Sequence, residues 1–278
     1  ERVPDLVLYR FMSLLFQLLS ILLVFATANR LGGYKASWAA AAFLVVMPQA
    51  VVDAHYARPE SFVILLVSLA CWLAVRAQLD RRWLLAMLEA AVWGVACACK
   101  FSFFPMALLA CAAQCYTHRQ WRLPFLWLAS FVAGVALSAP YILLDWYGFM
   151  HGVGLLLNQY QPHPDNVGWL ASVLPSAHQL FPYLLAFFGA PALLLVLLSL
   201  SAEKKNTRYF AWVSLSVSGF YVLLFAHQGV FFERNLSHLL PLWSILFALG
   251  FLAVTRRVSA GSQFVLLLLA LLWPAFLS

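Results

Sequence analysis

The chain has 278 residues, of which 64% are hydrophobic and only 10% charged. A soluble domain usually carries about 25% charged residues, so a water-facing fold is excluded and lipid must solvate most of this surface. The net charge of +7 sits in short segments between apolar runs, which points to membrane topology and away from a nucleic-acid partner. Inside a bilayer every backbone group must be satisfied internally, which leaves helices or a closed barrel. The runs are long and continuous and lack the period-2 alternation of barrel strands. The reading is an all-α polytopic membrane protein of about ten transmembrane helices, a single transmembrane domain over residues 1–278.

Ten apolar runs mark the spans: 6–28, 36–53, 60–78, 83–99, 101–117, 123–143, 181–202, 209–227, 236–255 and 263–277. Several fall short of the roughly 20 residues that cross a bilayer. A snorkelling arginine such as Arg76 extends a short span. The runs 83–99 and 101–117 read as a tight helical hairpin turning near Lys100 and Pro105. The one long connection, 144–180, reads as an external loop with interfacial segments, because Trp146, Tyr147, Tyr160 and Trp169 suit the membrane boundary. Cys71, Cys97, Cys99, Cys111 and Cys115 lie in or beside apolar runs and read as small apolar fillers. No signal-peptide pattern precedes the first run, which starts close after Glu1, and that predicts a further span upstream.

Basic residues set the orientation. One set of loops holds Arg30, Lys35, Arg76, Arg81, Arg82, Arg119, Arg122, Lys204, Lys205, Arg208, Arg256 and Arg257, twelve of the seventeen lysines and arginines. That side is expected to be cytoplasmic, facing inward at 29–35, 76–82, 118–122, 203–208 and 256–257. Arg2, Arg10, Arg58, Lys100 and Arg234 then lie on the other side. Most acids join them there, with His55, His163, His227 and His238. A mixed acidic, basic and histidine surface at one membrane boundary is what a polar active site needs.

Four constellations stand out. In Asp53-Ala-His55-Tyr-Ala-Arg58-Pro59-Glu60-Ser61, Pro59 disfavours helix at Arg58 and suits the first turn of the next helix. Glu60 then sits at a helix N-terminus, where the dipole favours an acid whether or not it has a chemical role. Lys100 tops the hairpin, either snorkelling or held against an anion. In Glu233-Arg234-Asn235-Leu-Ser-His238 the acid and arginine can neutralise one another, and Asn235 and His238 share a helix face. In Gln159-Tyr-Gln-Pro-His163-Pro-Asp165 a histidine is restricted between two prolines. Glu89 lies inside a span, where a hydrogen bond between helices is its expected use.

Taken in order, Tyr9-Arg10 leading a span that ends Ala28-Asn-Arg30-Leu-Gly32, the His55-Tyr-Ala-Arg58-Pro59-Glu60 junction, Gly94-Val-Ala-Cys-Ala-Cys-Lys100 and Glu233-Arg234-Asn235 through Pro241 resemble a known pattern. It is that of the GT-C superfamily of polyprenyl-phosphate-sugar glycosyltransferases, and above all of the relatives of dolichyl-phosphate-mannose–protein mannosyltransferase and lipid A aminoarabinose transferase. The resemblance covers essentially the whole chain. It implies a sugar donor on a polyprenyl phosphate and a hydroxyl acceptor on lipid, glycan or protein, outside a membrane expected to be the bacterial inner one. Membrane lipid is the remaining partner, and nucleic acid is not one.

On that reading Lys100, Arg58 and Arg234 would hold the donor phosphate, and Glu60, Asp53 and His163 are the catalytic candidates. The main base is expected on a loop upstream of Glu1, so residues 1–278 alone are expected not to transfer sugar. His55, Asn235 and His238 would serve the acceptor or support the site. A divalent metal could assist, with Glu60 as its ligand. Two rivals come from other classes. A transporter or lipid flippase would favour charges at the bilayer midplane and inverted repeats. A non-catalytic membrane assembly subunit would need no site at all.

Overall fold

The computed structural model describes residues 3–56, 59–159, 169–227 and 233–277. Among these residues there is helix and no strand. The chain runs through α1 (Val3–Gly32), α2 (Tyr34–Val46), α3 (Pro48–His55), α4 (Glu60–Asp80), α5 (Trp83–Cys99), α6 (Phe104–His118), α7 (Leu123–Ser138), α8 (Tyr141–Leu144), α9 (Trp146–Gln159), α10 (Trp169–Leu198), α11 (Lys205–His227), α12 (Leu240–Thr255) and α13 (Ala260–Leu277). Short 3₁₀ turns cover Phe101–Phe103, Ser199–Ser201 and Glu233–Leu239.

Each of the ten apolar runs falls mainly on helix, but run 123–143 is α7 and α8 parted at Ala139 and Pro140, where the proline ends the first helix. Among the described residues, five stretches are long and apolar enough to cross a membrane unaided: Asp5–Gly32, Glu60–Asp80, Lys205–Ala226, Arg234–Thr255 and Ala260–Leu277. Run 36–53 is a bent pair, α2 and α3, which meet at 61°. The bend has a local cause. Pro48 opens α3, and the residue before a proline is pushed from helical to extended backbone, as Met47 is at ψ 120°. Trp83–Cys99, Leu123–Ser138 and Phe188–Ser201 are shorter apolar helices. Run 101–117 is one of the short ones, made of the Phe101–Phe103 turn and α6. The connection 144–180 is itself largely helical, through α9 and the first part of α10. Within α10 the chain kinks at Gly189, whose φ of 71° suits a residue without Cβ.

Lipid offers apolar side chains no less than a protein interior does, so the helices associate through close packing and polar contacts. α12 is the centre, with 83% of its apolar window buried, while α13 has 17% and stands at the rim. Phe43 of α2 stacks on Phe247 of α12 with centroids 4.2 Å apart, and Phe188 of α10 meets Trp243 of α12 edge-on at 4.7 Å. α5 and α7 approach through glycine: a Cβ at Gly94 would stand 2.1 Å from the Phe131 carbonyl oxygen, and one at Gly134 2.2 Å from that of Ala91. Gly94 is therefore a packing residue.

The basic turns meet at one end of the bundle. Arg30 pairs with Asp80, and Arg256 with Glu203. Lys35 Nζ donates to Gln263 Oε1 at 2.8 Å, Thr207 Oγ1 to the Leu31 carbonyl at 3.0 Å, and an Arg81 guanidinium N–H to the Thr117 carbonyl at 2.6 Å. The turns at 29–35, 76–82, 118–122, 203–208 and 256–257 thus share one face, as the charge pattern predicts. The start of α4, the tip of the α5–α6 hairpin and the start of α12 lie at the other.

Candidate functional site

The α3–α4 junction is held from both sides. Asp53 is fully buried, and its Oδ1 accepts from Gln49 Nε2 at 2.8 Å, one helical turn earlier. Its backbone carbonyl accepts from Ser61 Oγ at 2.7 Å, which fixes the start of α4 against the end of α3. Glu60 is thereby placed at the first position of α4, with Pro59 before it. Only 8% of Glu60 is exposed, although it is ionisable. Its Oε1 lies 4.0 Å from Arg234 Nε. Its Oε2 is buried and has no hydrogen-bond partner among the described residues.

Lys100 caps α5 in extended conformation, with its N–H donating to the Ala96 carbonyl at 2.9 Å and its own carbonyl accepting from Phe103 at 3.1 Å. The hairpin tip is tied down from α11, where Tyr221 Oη donates to the Ser102 carbonyl at 2.5 Å. Burial pulls the Lys100 ammonium below the usual lysine value, with Glu60 opposing, Arg234 adding and Asp53 opposing. Those three side chains are therefore its electrostatic neighbours.

Glu60, Lys100, Arg234, Ser237 and His238 line one cavity of about 30 Å³, with Pro59, Val63, Cys99 and Phe103 completing the wall. That volume holds two or three waters, at about 10–15 Å³ each. His238 is 1% exposed and sits in an aromatic cage. Its ring meets Tyr221 at 4.5 Å, Phe103 at 4.9 Å and Phe225 at 6.3 Å, all edge-on. Neither ring nitrogen has a hydrogen-bond partner among the described residues.

The sequence-derived candidates divide. Glu60, Lys100, Arg234 and His238 come together from three distant segments, and Asp53 stands behind Glu60. Asn235 is buried on the same 3₁₀ turn but does not line the cavity. His55 is exposed, and its Nδ1 engages the Val51 carbonyl of its own helix at 2.7 Å, away from the cavity. Arg58 and His163 lie outside the described residues. Ser237, Cys99 and the cage residues Phe103, Tyr221 and Phe225 carry no motif that singles them out. Among the described residues no group of three or more His, Cys, Asp or Glu gathers. Glu60, His238 and Cys99 are the metal-ligating residue types on the cavity wall.

Three comparisons bear on this geometry. No curated protein matches the sequence. The fold is similar to the crystal structure of ArnT from Cupriavidus metallidurans in the apo state, with a TM-score of 0.60 at 15% identity. That alignment covers 92% of this chain and 47% of ArnT, so the chain spans about half the length of that protein. The sequence model of the dolichyl-phosphate-mannose-protein mannosyltransferase family matches residues 5–143, a stretch from α1 through α4, the lysine-tipped hairpin and α7. With half of its length matched and a GT-C fold over nearly all of it, the chain is an integral membrane protein that belongs to the dolichyl-phosphate-mannose-protein mannosyltransferase family.

Proposed function

We propose that this protein takes part in glycosyl transfer from a sugar carried on a polyprenyl phosphate to a hydroxyl acceptor. The reaction occurs at the membrane face opposite the basic turns. The observation that carries this reading is the convergence of Glu60, Lys100 and Arg234 on one cavity at a helix-end boundary. In such a transfer the acceptor oxygen bonds to the anomeric carbon while the bond from that carbon to the phosphate oxygen breaks. The electron pair leaves with the lipid phosphate, whose growing charge needs fixed cations. Lys100 and Arg234 supply them. Glu60 is the carboxylate assigned to the acceptor hydroxyl, which it orients by accepting its proton in a hydrogen bond. Asp53 stands behind Glu60, and its backbone carbonyl holds the start of α4 through Ser61 Oγ.

The twelve-to-five basic asymmetry supports placing the basic turns in the cytoplasm and the site outside the inner membrane of a bacterium. A family centred on lipid-linked mannose supports the donor class. A divalent ion held by Glu60 and His238 would add charge at the same phosphate.

The test uses the full-length protein, with whatever its gene encodes before Glu1, in nanodiscs with a panel of radiolabelled polyprenyl-phosphate sugars and lipid, glycan and peptide acceptors. Transfer from at least one donor, and donor binding that weakens in Lys100→Ala, are the expected results. A protein that neither transfers nor binds any donor of this class refutes the reading.

A further inference from the structure

A second polar group lies deep in the bundle, on the same helix as Lys100 but eleven residues earlier, about 16 Å at 1.5 Å per residue. Glu89 is 1% exposed, and its neighbours come from four helices. Trp93 Nε1 of α5 donates to its Oε1 at 3.2 Å. Gln114 Nε2 of α6 donates to its Oε2 at 2.5 Å and reaches the Ala74 carbonyl of α4 at 3.5 Å. The titratable groups facing it are Cys71 of α4, Cys111 of α6 and Tyr209 of α11. None of these is a cation, and among the described residues no Lys, Arg or His side chain stands within ion-pair distance of Glu89. An ionised carboxylate in such surroundings carries a large desolvation cost, which two neutral N–H donors offset only in part.

Two further observations point to a guest. A cavity of about 60 Å³ opens between α4, α5, α6 and α11, lined by Glu89, Gln114, Cys71, Ser214 and Tyr209 among mostly apolar side chains. Gln114 is fully buried, and its Oε1 accepts from no partner among the described residues. A buried acceptor left unsatisfied is unfavourable. A water needs about 10–15 Å³ and two to four polar partners, so there is room and bonding for one, with Glu89 and Gln114 as its first partners.

We propose that this cavity is an internal water site in which Glu89 is an un-ionised carboxylic acid, donating its proton to water that in turn donates to Gln114 Oε1, and that this acid is a modification site for membrane-soluble carbodiimides. The reaction is balanced without a further reagent. The carboxyl proton passes to one carbodiimide nitrogen, the carboxyl oxygen bonds to the central carbon, and the O-acylisourea rearranges to a stable N-acylurea that keeps every atom. An ionised acid has no proton to give and does not enter this path.

The protein in nanodiscs is treated with dicyclohexylcarbodiimide at neutral pH, and the adduct is located by peptide mass spectrometry. Glu89 is expected to carry at least ten times the label of the exposed Glu203, and a water-soluble carbodiimide should reverse that ratio. An unlabelled Glu89, or labelling blocked by millimolar sodium, overturns the un-ionised acid, the second result by revealing a cation in its place. X-ray radiolytic footprinting tests the water on the unmodified chain. Trp93 beside the cavity and Trp127 away from it are both 3% exposed, so bulk access is matched. Several-fold faster oxidation of Trp93 is expected, and equal rates would remove the water.

Discussion

The two ends of this bundle hold their charges in opposite ways. At the basic end Arg30 and Arg76 converge on Asp80, and Arg256 meets Glu203, with arginine side chains 32–46% exposed and Glu203 at 76%. At the other end Arg234 is as open, at 43%, but the acids it faces are hidden: the Glu60 side chain is 10% exposed and Asp53 is fully buried, with Lys100 beside them. Exposed pairs contribute roughly 0–1 kcal/mol each and suit anchoring in headgroups. Buried charges bear desolvation, and at a membrane boundary they are retained where they bind or react. Two sets of short charged loops that look alike in sequence are therefore separable by burial, and only one has the character of a site.

That contrast breaks first at Lys100. Lys100→Ala removes a cation from the cavity wall, and the expected loss of transfer is about 10²–10³-fold, the usual effect of deleting one group that stabilises developing negative charge. Initial rates at saturating acceptor measure it. Lys100→Arg should recover part of the loss, since it keeps the charge with a different geometry. A variant as active as the parent would reduce Lys100 to a snorkelling residue and erase the distinction between the two ends.

Glu60→Gln is the next step down. It keeps the shape and one acceptor oxygen but discards the charge that faces Arg234 at 4.0 Å. A drop of about 10–10²-fold in transfer is expected, of the size that follows from misplacing a bound reactant. Donor affinity, read separately, should change less than in Lys100→Ala. An effect confined to donor affinity would move Glu60 from the acceptor to the phosphate side of the cavity.

The pH dependence of donor binding is a finer probe. A lysine is charged below its pKa, and burial sets the Lys100 value below the usual one. The ammonium is therefore fully present in acid and lost, as pH rises, earlier than an exposed lysine would lose it. Donor affinity should decline on the alkaline side before ordinary lysines titrate at about 10.4. Lys100→Arg should flatten that decline, because guanidinium stays protonated. Equilibrium binding at fixed ionic strength separates the two curves.

Much of this architecture was legible in hydropathy, because a run of apolar residues needs the same lipid wherever it sits. The α5–α6 hairpin, the helix starts at Pro59 and Pro241 and the common face of the basic turns follow from local rules. What hydropathy does not encode is the neighbour. The stretches Arg234–Thr255 and Ala260–Leu277 are about equally apolar, yet one is 83% and the other 17% buried, since lipid and protein are equally apolar surroundings. The same blindness hides the cage around His238. Phe103 lies on the turn after α5, while Tyr221 and Phe225 lie one helical turn apart on α11, and all three look like ordinary apolar positions. Glu89 announces a partner by being an acid inside a span, but Gln114 as that partner is visible only in three dimensions. The bend at Met47 has its cause printed in the sequence as Pro48, although an apolar run alone reads as one straight span.

The smallest expected effect completes the comparison from the other end. Arg256 and Glu203 form an ion pair whose side chains are 46% and 76% exposed. Water and salt screen such a pair, and holding two long side chains in one geometry costs rotamer freedom that offsets the attraction. Arg256→Ala should therefore leave sugar transfer unchanged and shift the thermal midpoint by no more than about 1–2 °C, the displacement that a few tenths of a kcal/mol produce in a chain of this size. Raising the salt concentration should not widen that gap, because the interaction is already screened. Loss of activity comparable to Lys100→Ala would mean that charge at the basic end also serves the reaction, and burial would then be a poor guide to which end of the bundle reacts. Loss of membrane insertion with activity intact in the inserted fraction would instead assign Arg256 to orientation, which is the role its exposure and its side of the bundle predict.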